Sequence, residues 1–142
     1  MARDKKAQLD RILRVRTLQL GMSRADEARA QARMASEADL AQRIARLADS
    51  VAPAPAEAGS GFSLVAAAHF RSRLHHSAEV AEARLREAEI AAELAAEATR
   101  EAKRDQSAVE KLMARADREA ALKAIRALEA APAVRKIRHD PC

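Results

Sequence analysis

Two columns of residues, each spaced by seven, govern the second half of this chain. One reads Leu74, Ala81, Ala88, Ala95, Ala102, Val109, Ala116 and the other Ala78, Leu85, Ala92, Thr99, Gln106, Met113, Ala120, and the two alternate at steps of four and three. Such steps hold side chains on one narrow stripe of a helix, and repetition over this many heptads makes the stripe the seam of a coiled coil. The neighbouring columns, from His75 through Glu82 and Glu89 to Asp117, and from Glu79 through Arg86 and Glu93 to Ala114, are mostly charged or polar. A seam flanked by charge needs a partner helix, which must come from this chain or from another.

Composition argues against a globular core around that seam. Aromatic content is 1%, confined to Phe62 and Phe70, while 33% of the 142 residues are charged. Heavy use of Ala, Arg, Glu and Leu with a period near 3.5 marks long helices, and 49% hydrophobic content with mixed charge argues against a disordered chain. The lone Cys142 allows no intrachain disulfide, in keeping with a reducing compartment. No apolar run approaches the roughly 20 residues of a membrane span, and Arg11, Arg14 and Arg16 break up the place where a signal peptide keeps its apolar segment. The expectation is a soluble, cytoplasmic protein.

The opening segment, Met1 to Arg24, carries seven cations against Asp4 and Asp10. Leu9, Ile12 and Leu13 give it an apolar face, so it reads as a basic amphipathic helix, suited to an acidic protein, a membrane surface or phosphates, or else simply solvated. Met22, Ala25, Ala28, Ala32 and Ala35 continue the apolar positions, and Leu40, Ile44, Leu47 and Val51 give a clear run of fours and threes. The phase between these segments reads as interrupted, which would alter the supercoil locally. Pro53 and Pro55 end the helix, and Gly59-Ser60-Gly61 supplies a turn rather than a phosphate loop. Ser63 is a candidate cap for the next helix, with Phe62 as hydrophobic staple, and Pro132 ends that helix.

The expected fold is therefore all-α, one domain over residues 1–142: two long helices forming an antiparallel coiled-coil hairpin, the second longer than the first. The bounds expected from the breakers are a helix over about 4–51, a bend at 52–62, a helix over about 63–130 and a basic tail at 131–142. At 1.5 Å per residue the helices would be about 70 and about 100 Å long. With the bend centred near Glu57, Leu40 lies level with Leu74, and the second helix runs uncovered beyond about Glu110. The tail adds Arg135, Lys136 and Arg138 against Asp140, so it gathers with the basic opening at one pole and leaves residues 25–130 slightly acidic. The alanine-rich stretch from Ala88 to Ala102 is expected to be weakly held, since an Ala methyl contributes much less than the about 1.5 to 3 kcal/mol of a buried Leu. The layers of Leu74 and Leu85 near the bend should be firmer.

Little in this pattern supports catalysis. His75, His76 and Glu79 are the nearest approach to a metal cluster, but zinc needs three or four converging ligands, and these residues read as solvent-facing. Cys142 lacks the enclosed surroundings that tune a reactive thiol. Carboxylate pairs such as Glu89 with Glu93 lie on a helix surface without a cleft to raise one pKa. They read as helix charge, alongside the supporting pairs Asp10–Arg14, Asp39–Arg43, Glu82–Arg86 and Glu119–Lys123. No catalytic residue, cofactor, metal or small-molecule substrate is expected. The sequence pI near 10 admits nonspecific phosphate binding, but the interspersed acids and the lack of aromatic stacking platforms argue against a nucleic-acid partner.

Over nearly its whole length the chain resembles the flagellar export protein FliJ and the YscO-like stalk proteins of type III secretion. The resemblance lies in the opening Leu9-Asp10-Arg11-Ile12-Leu13-Arg14-Val15-Arg16-Thr17-Leu18-Gln19, the charged first helix, the start of the second helix at Phe62, Phe70 and Leu74, and Val109-Glu110-Lys111-Leu112-Met113. It implies a non-enzymatic stalk that stands in a hexameric export ATPase, couples it to the membrane export gate and helps cycle export chaperones. It further implies a role in flagellum biogenesis and motility, in the cytoplasm, peripheral to the inner membrane at the flagellar base. The chain departs from the family in its alanine richness, its scarcity of Gln and its basic tail. The surface expected to meet partners comprises Arg11, Arg14, Arg16, Arg135, Lys136 and Arg138 with the apolar Leu112, Leu122 and Ile125. The alternative is a coiled-coil scaffold or oligomerisation protein whose seam pairs with another copy.

Overall fold

The structure is a computed structural model, and it describes residues 2–51 and 61–132. It is all-helical: α1 spans Ala2–Ser50 and α2 spans Gly61–Glu129, 49 and 69 residues respectively, packed antiparallel against each other. The α1 ladder closes with Val51 N donating to Leu47 O at 3.2 Å. At the end of α2, Ala130 N donates to Arg126 O and Ala131 N to Leu128 O, tightening the last turn before Pro132 stops it. Because α2 begins at Gly61, Ser63 lies inside its first turn rather than at the cap, and the side chains of Phe62 and Ser63 lie outside the described residues, as does the bend at 52–60. Two compact units divide the residues: one joins α1 up to Thr17 with α2 from Arg104, the other holds Leu18 to Lys103.

Burial follows the two columns of α2 closely. Every position from Leu74 to Ala116 in both columns is buried or half-buried, with Ala81, Ala88, Ala92 and Val109 fully so, while His75, Glu82, Glu89, Lys103, Glu110 and Asp117 beside them are exposed. The chain supplies the helix that covers them.

The partner stripe on α1 differs from the expected one. Its buried and half-buried positions include Leu9, Leu13, Arg16, Leu20, Ser23, Glu27, Ala30, Met34, Glu37, Ala41, Ile44, Ala48 and Val51, an unbroken alternation of fours and threes. There is no phase slip. Polar residues occupy the frame set by Leu9 and Leu13, so the apolar letters Met22, Ala25, Ala28, Ala32 and Ala35 mark a different, exposed side of the helix. Leu40 and Leu47 likewise stand beside the stripe, exposed, while the smaller Ala41 and Ala48 occupy it. Gly21, also exposed, leaves the helix uninterrupted, and nothing lies within 4 Å of where its Cβ would stand.

The register also shifts. Within the first unit, Arg16 meets Asp105, Gln106 meets Thr17 and Lys6 meets Asp117, pairs whose numbers total 121 to 123. Within the second unit, Leu40 and Ile44 share a groove with Ser77, Val80 and Ala81, which gives the same register. Pairing centred on Glu57 would have given 114 and set Leu40 level with Leu74. A total near 122 centres the pairing near Gly61 rather than near Glu57. Cover consequently reaches Asp117 rather than Glu110, and Met113 and Ala116 are half-buried.

In this register the stripes meet in layers of unequal size. In the first unit Leu9 lies level with Met113 and Leu13 with Val109, so large side chains face each other. In the second, Leu20 lies level with Ala102, Met34 with Ala88, Ile44 with Ala78 and Leu74 with Ala48. Leu85 lies level with Glu37, so the layers near the bend are not the firmer ones. The alanine-rich middle is lean as expected: Ser23 is level with Thr99, Glu27 with Ala95 and Ala30 with Ala92. Thr99 keeps its hydroxyl bonded within its own helix, Oγ1 to Ala95 O at 3.1 Å. Glu37 Oε2 is buried without a hydrogen-bond partner.

Candidate partner-binding surfaces

The first unit brings the basic start of α1 beside the last third of α2. Here the layers of Leu9, Leu13, Met113 and Val109 set the helices, and polar contacts close their edges. Arg16 Nη1 lies 2.8 Å from Asp105 Oδ2, and Gln106 Nε2 donates to Thr17 Oγ1 at 3.3 Å. Lys6 Nζ donates to Asp117 Oδ1 at 2.8 Å, and this hydrogen bond, seconded by the carboxylate charge, raises the Lys6 pKa above its ordinary value. Both partners stay largely exposed, so the clasp orients the helix start more than it stabilises it. Around it Lys5, Lys6, Ala116, Asp117, Glu119, Ala120 and Lys123 line an open groove of about 320 Å³.

Past Asp117 every described side chain of α2 is exposed. Leu122, Ile125 and Leu128, at steps of three, wind along the helix at 54%, 51% and 76% exposure. Arg115, Arg118, Lys123 and Arg126 stand among them, and Arg126 in the last turn complements the negative end of the helix dipole. An apolar strip set among cations can bury against another protein while its rim attracts acidic groups.

The residues expected at a partner surface fall into four groups. Arg11 and Arg14 are exposed on α1, and Leu122 and Ile125 lie on the uncovered end of α2, as expected. Arg16 instead occupies the seam and is held by Asp105, so it serves the hairpin. Leu112 is exposed because it lies beside the covered seam, near the level of Ile12, which is also exposed, and not because cover has ended. Arg135, Lys136 and Arg138 lie outside the described residues. The cations of the α2 end were not singled out by sequence reasoning, because on a helix of alternating charge only the loss of cover makes them a group.

No protein-family model, curated protein or solved structure matches the chain. The functional reading thus rests on the residues themselves. Among the described residues no group of three or more His, Cys, Asp or Glu could hold a metal ion, and no helix is long and apolar enough to cross a membrane. His76 Nδ1 lies 3.9 Å from Glu79 Oε2, both well exposed, while His75 faces solvent beside the seam. Glu93 and Glu97 are both held by Arg100, at 2.7 and 2.8 Å, and the hydrogen bond that Arg100 donates to Glu93, followed by the one to Glu97, raises the guanidinium pKa. Asp39–Arg43 and Glu82–Arg86 close as i, i+4 pairs. These carboxylates thus serve as helix surface.

Proposed function

We propose that this chain is a non-enzymatic coupling protein of a flagellar or related type III export apparatus, a helical stalk for a hexameric export ATPase that links it to the export gate. The observation that carries the reading is the pairing of a self-covered antiparallel hairpin with an uncovered, apolar and basic end of α2. The first supplies a two-helix stem, as the resemblance to FliJ implies, and the second supplies a surface for another protein. A hairpin offers different side chains on its different faces, so it makes unequal contacts with successive subunits of a ring. Such differential contact is what biases a cycle of conformations. Export chaperones would be further partners, and the protein would work in the cytoplasm at the inner face of the membrane, in flagellum biogenesis and motility.

The test is the hydrolysis rate of the export ATPase from the same genome, with and without the full chain. A several-fold increase that is reduced by Leu122→Asp with Ile125→Asp supports the reading. A rate that is indifferent to the chain, with no complex on co-purification, overturns it. One observation favours a scaffold instead: Ile90 and Leu94 stand well exposed one turn apart on α2, away from the seam. Light scattering separates the two, since a stable dimer or tetramer fits the scaffold and a monomer that activates the ATPase fits the stalk.

A further inference from the structure

The two flanks of the seam in the second unit differ in apolar surface and in charge. The groove between the helices fixes which columns share a flank, because Leu40 of α1 lies there with Ser77, Val80 and Arg84 of α2. One heptad from these residues, in the same columns, lie Leu47 on α1 and Phe70 on α2. Leu40, Leu47, Phe70 and Val80 are all exposed, and with half-buried Ile44 they give this flank an apolar strip over a groove of about 290 Å³. Its rim is cationic: Arg33, Arg73 and Arg84 lie in the strip's own columns, and Arg43 in the column just outside. Arg43 is engaged by Asp39 of its own helix, whereas Arg33, Arg73 and Arg84 are exposed and form no ion pair among the described residues. Beside the strip, over 33–47 and 70–87, Glu87 is the acid these columns contribute, with Asp26 and Glu101 farther along them. Level with the groove, the other flank of α2 carries Glu79, Glu82, Glu89 and Glu93 against Arg86, with Arg100 and Lys103 farther along the same columns, and Val65 is the large apolar residue among them.

We infer that this flank is a docking surface for an acidic amphipathic helix of a partner protein, which lies along the groove as a third helix. Apolar side chains at heptad spacing enter between Leu40, Leu47, Phe70 and Val80, and carboxylates on the margins of the incoming helix meet Arg33, Arg73 and Arg84. A second copy fits poorly. Pairing the same flanks sets arginines against arginines, and the acidic flank of another copy offers Val65 alone as a large apolar side chain, too little to fill the groove. The inference does not depend on the export reading, since it concerns other residues and another unit.

The experiment uses the full chain and two labelled synthetic helices of about three heptads each, with Leu at the seam positions and either Glu or Lys on both flanks. Fluorescence anisotropy should show binding of the Glu-flanked helix that weakens as salt rises, and much weaker binding of the Lys-flanked one. Replacing Arg33, Arg73 and Arg84 together by Glu should weaken the first by roughly tenfold or more, three exposed charge pairs each contributing modestly, and should improve the second. This exchange of preference, read on variants whose helicity by circular dichroism is unchanged, cannot arise from lost folding. Equal binding of the two helices, or a reversal variant that keeps the original preference, overturns the proposal. So does light scattering that shows the flank already closed in a dimer of this chain.

Discussion

Glu37 shows how a single residue can hide a fold from its sequence while leaving it marginal. It sits on the α1 stripe, level with Leu85, and its Oε2 is buried without a partner. An unsatisfied buried polar atom carries its full desolvation cost, about 1 to 3 kcal/mol. Glu37→Leu removes that cost and adds apolar surface to the layer, so it should stabilise the hairpin by about 1 to 3 kcal/mol, seen as a higher midpoint in urea with little change in slope. An unchanged or lower midpoint would mean that the carboxylate finds solvent or a partner. Ser23, Glu27 and Arg16 occupy the same stripe, and for the same reason a reader who looks for apolar letters passes over them.

At the scale of the elements, both helices and their ends were legible because Pro53, Pro55 and Pro132 remove donors that no helix can spare. The α2 seam was legible residue by residue, since alanines in strict sevens leave no other frame. The α1 stripe was not, because hydrophobicity and position disagree there: Leu40 and Leu47 flank the seam while Ala41 and Ala48 fill it. Register was illegible for a related reason, as small side chains on α2 accept a shift without a clash. Of the candidate surface, the uncovered Leu122 and Ile125 could be read from unequal helix lengths, but the capture of Arg16 by Asp105 depended on register. The Lys6–Asp117 clasp belongs to this scale, since it ties the start of one helix to the other. Because the Lys6 pKa is raised in the folded chain, the contribution of the clasp is fully present below the ordinary lysine value of 10.5 and is lost as pH rises through the folded value. Lys6→Ala should therefore lower the melting temperature slightly at pH 8, and the difference from the parent should close in strongly alkaline buffer. A difference that stays constant across that window would show that the ammonium is not bound in the folded state.

At the scale of the whole molecule, one chain covers its own seam in a defined register, and the proposed partner surfaces are what that cover leaves exposed. Lean layers such as Ala30 with Ala92 bring backbones close at little hydrophobic gain, while the buried Leu20 and Val109 and the half-buried Leu9, Leu13 and Met113 supply the larger side chains. A stem of this kind suits a coupling protein, whose task lies in contacts made and broken around it. The most direct measurement is disulfide trapping in a Cys142→Ser background, comparing the pair Ala41→Cys with Ala81→Cys against the pair Ala41→Cys with Leu74→Cys, which matches the shorter register. The first pair should give a rapid, intramolecular and reducible crosslink within the monomer, and the second little. Crosslinking mainly between chains, or a preference for the second pair, would contradict this pairing.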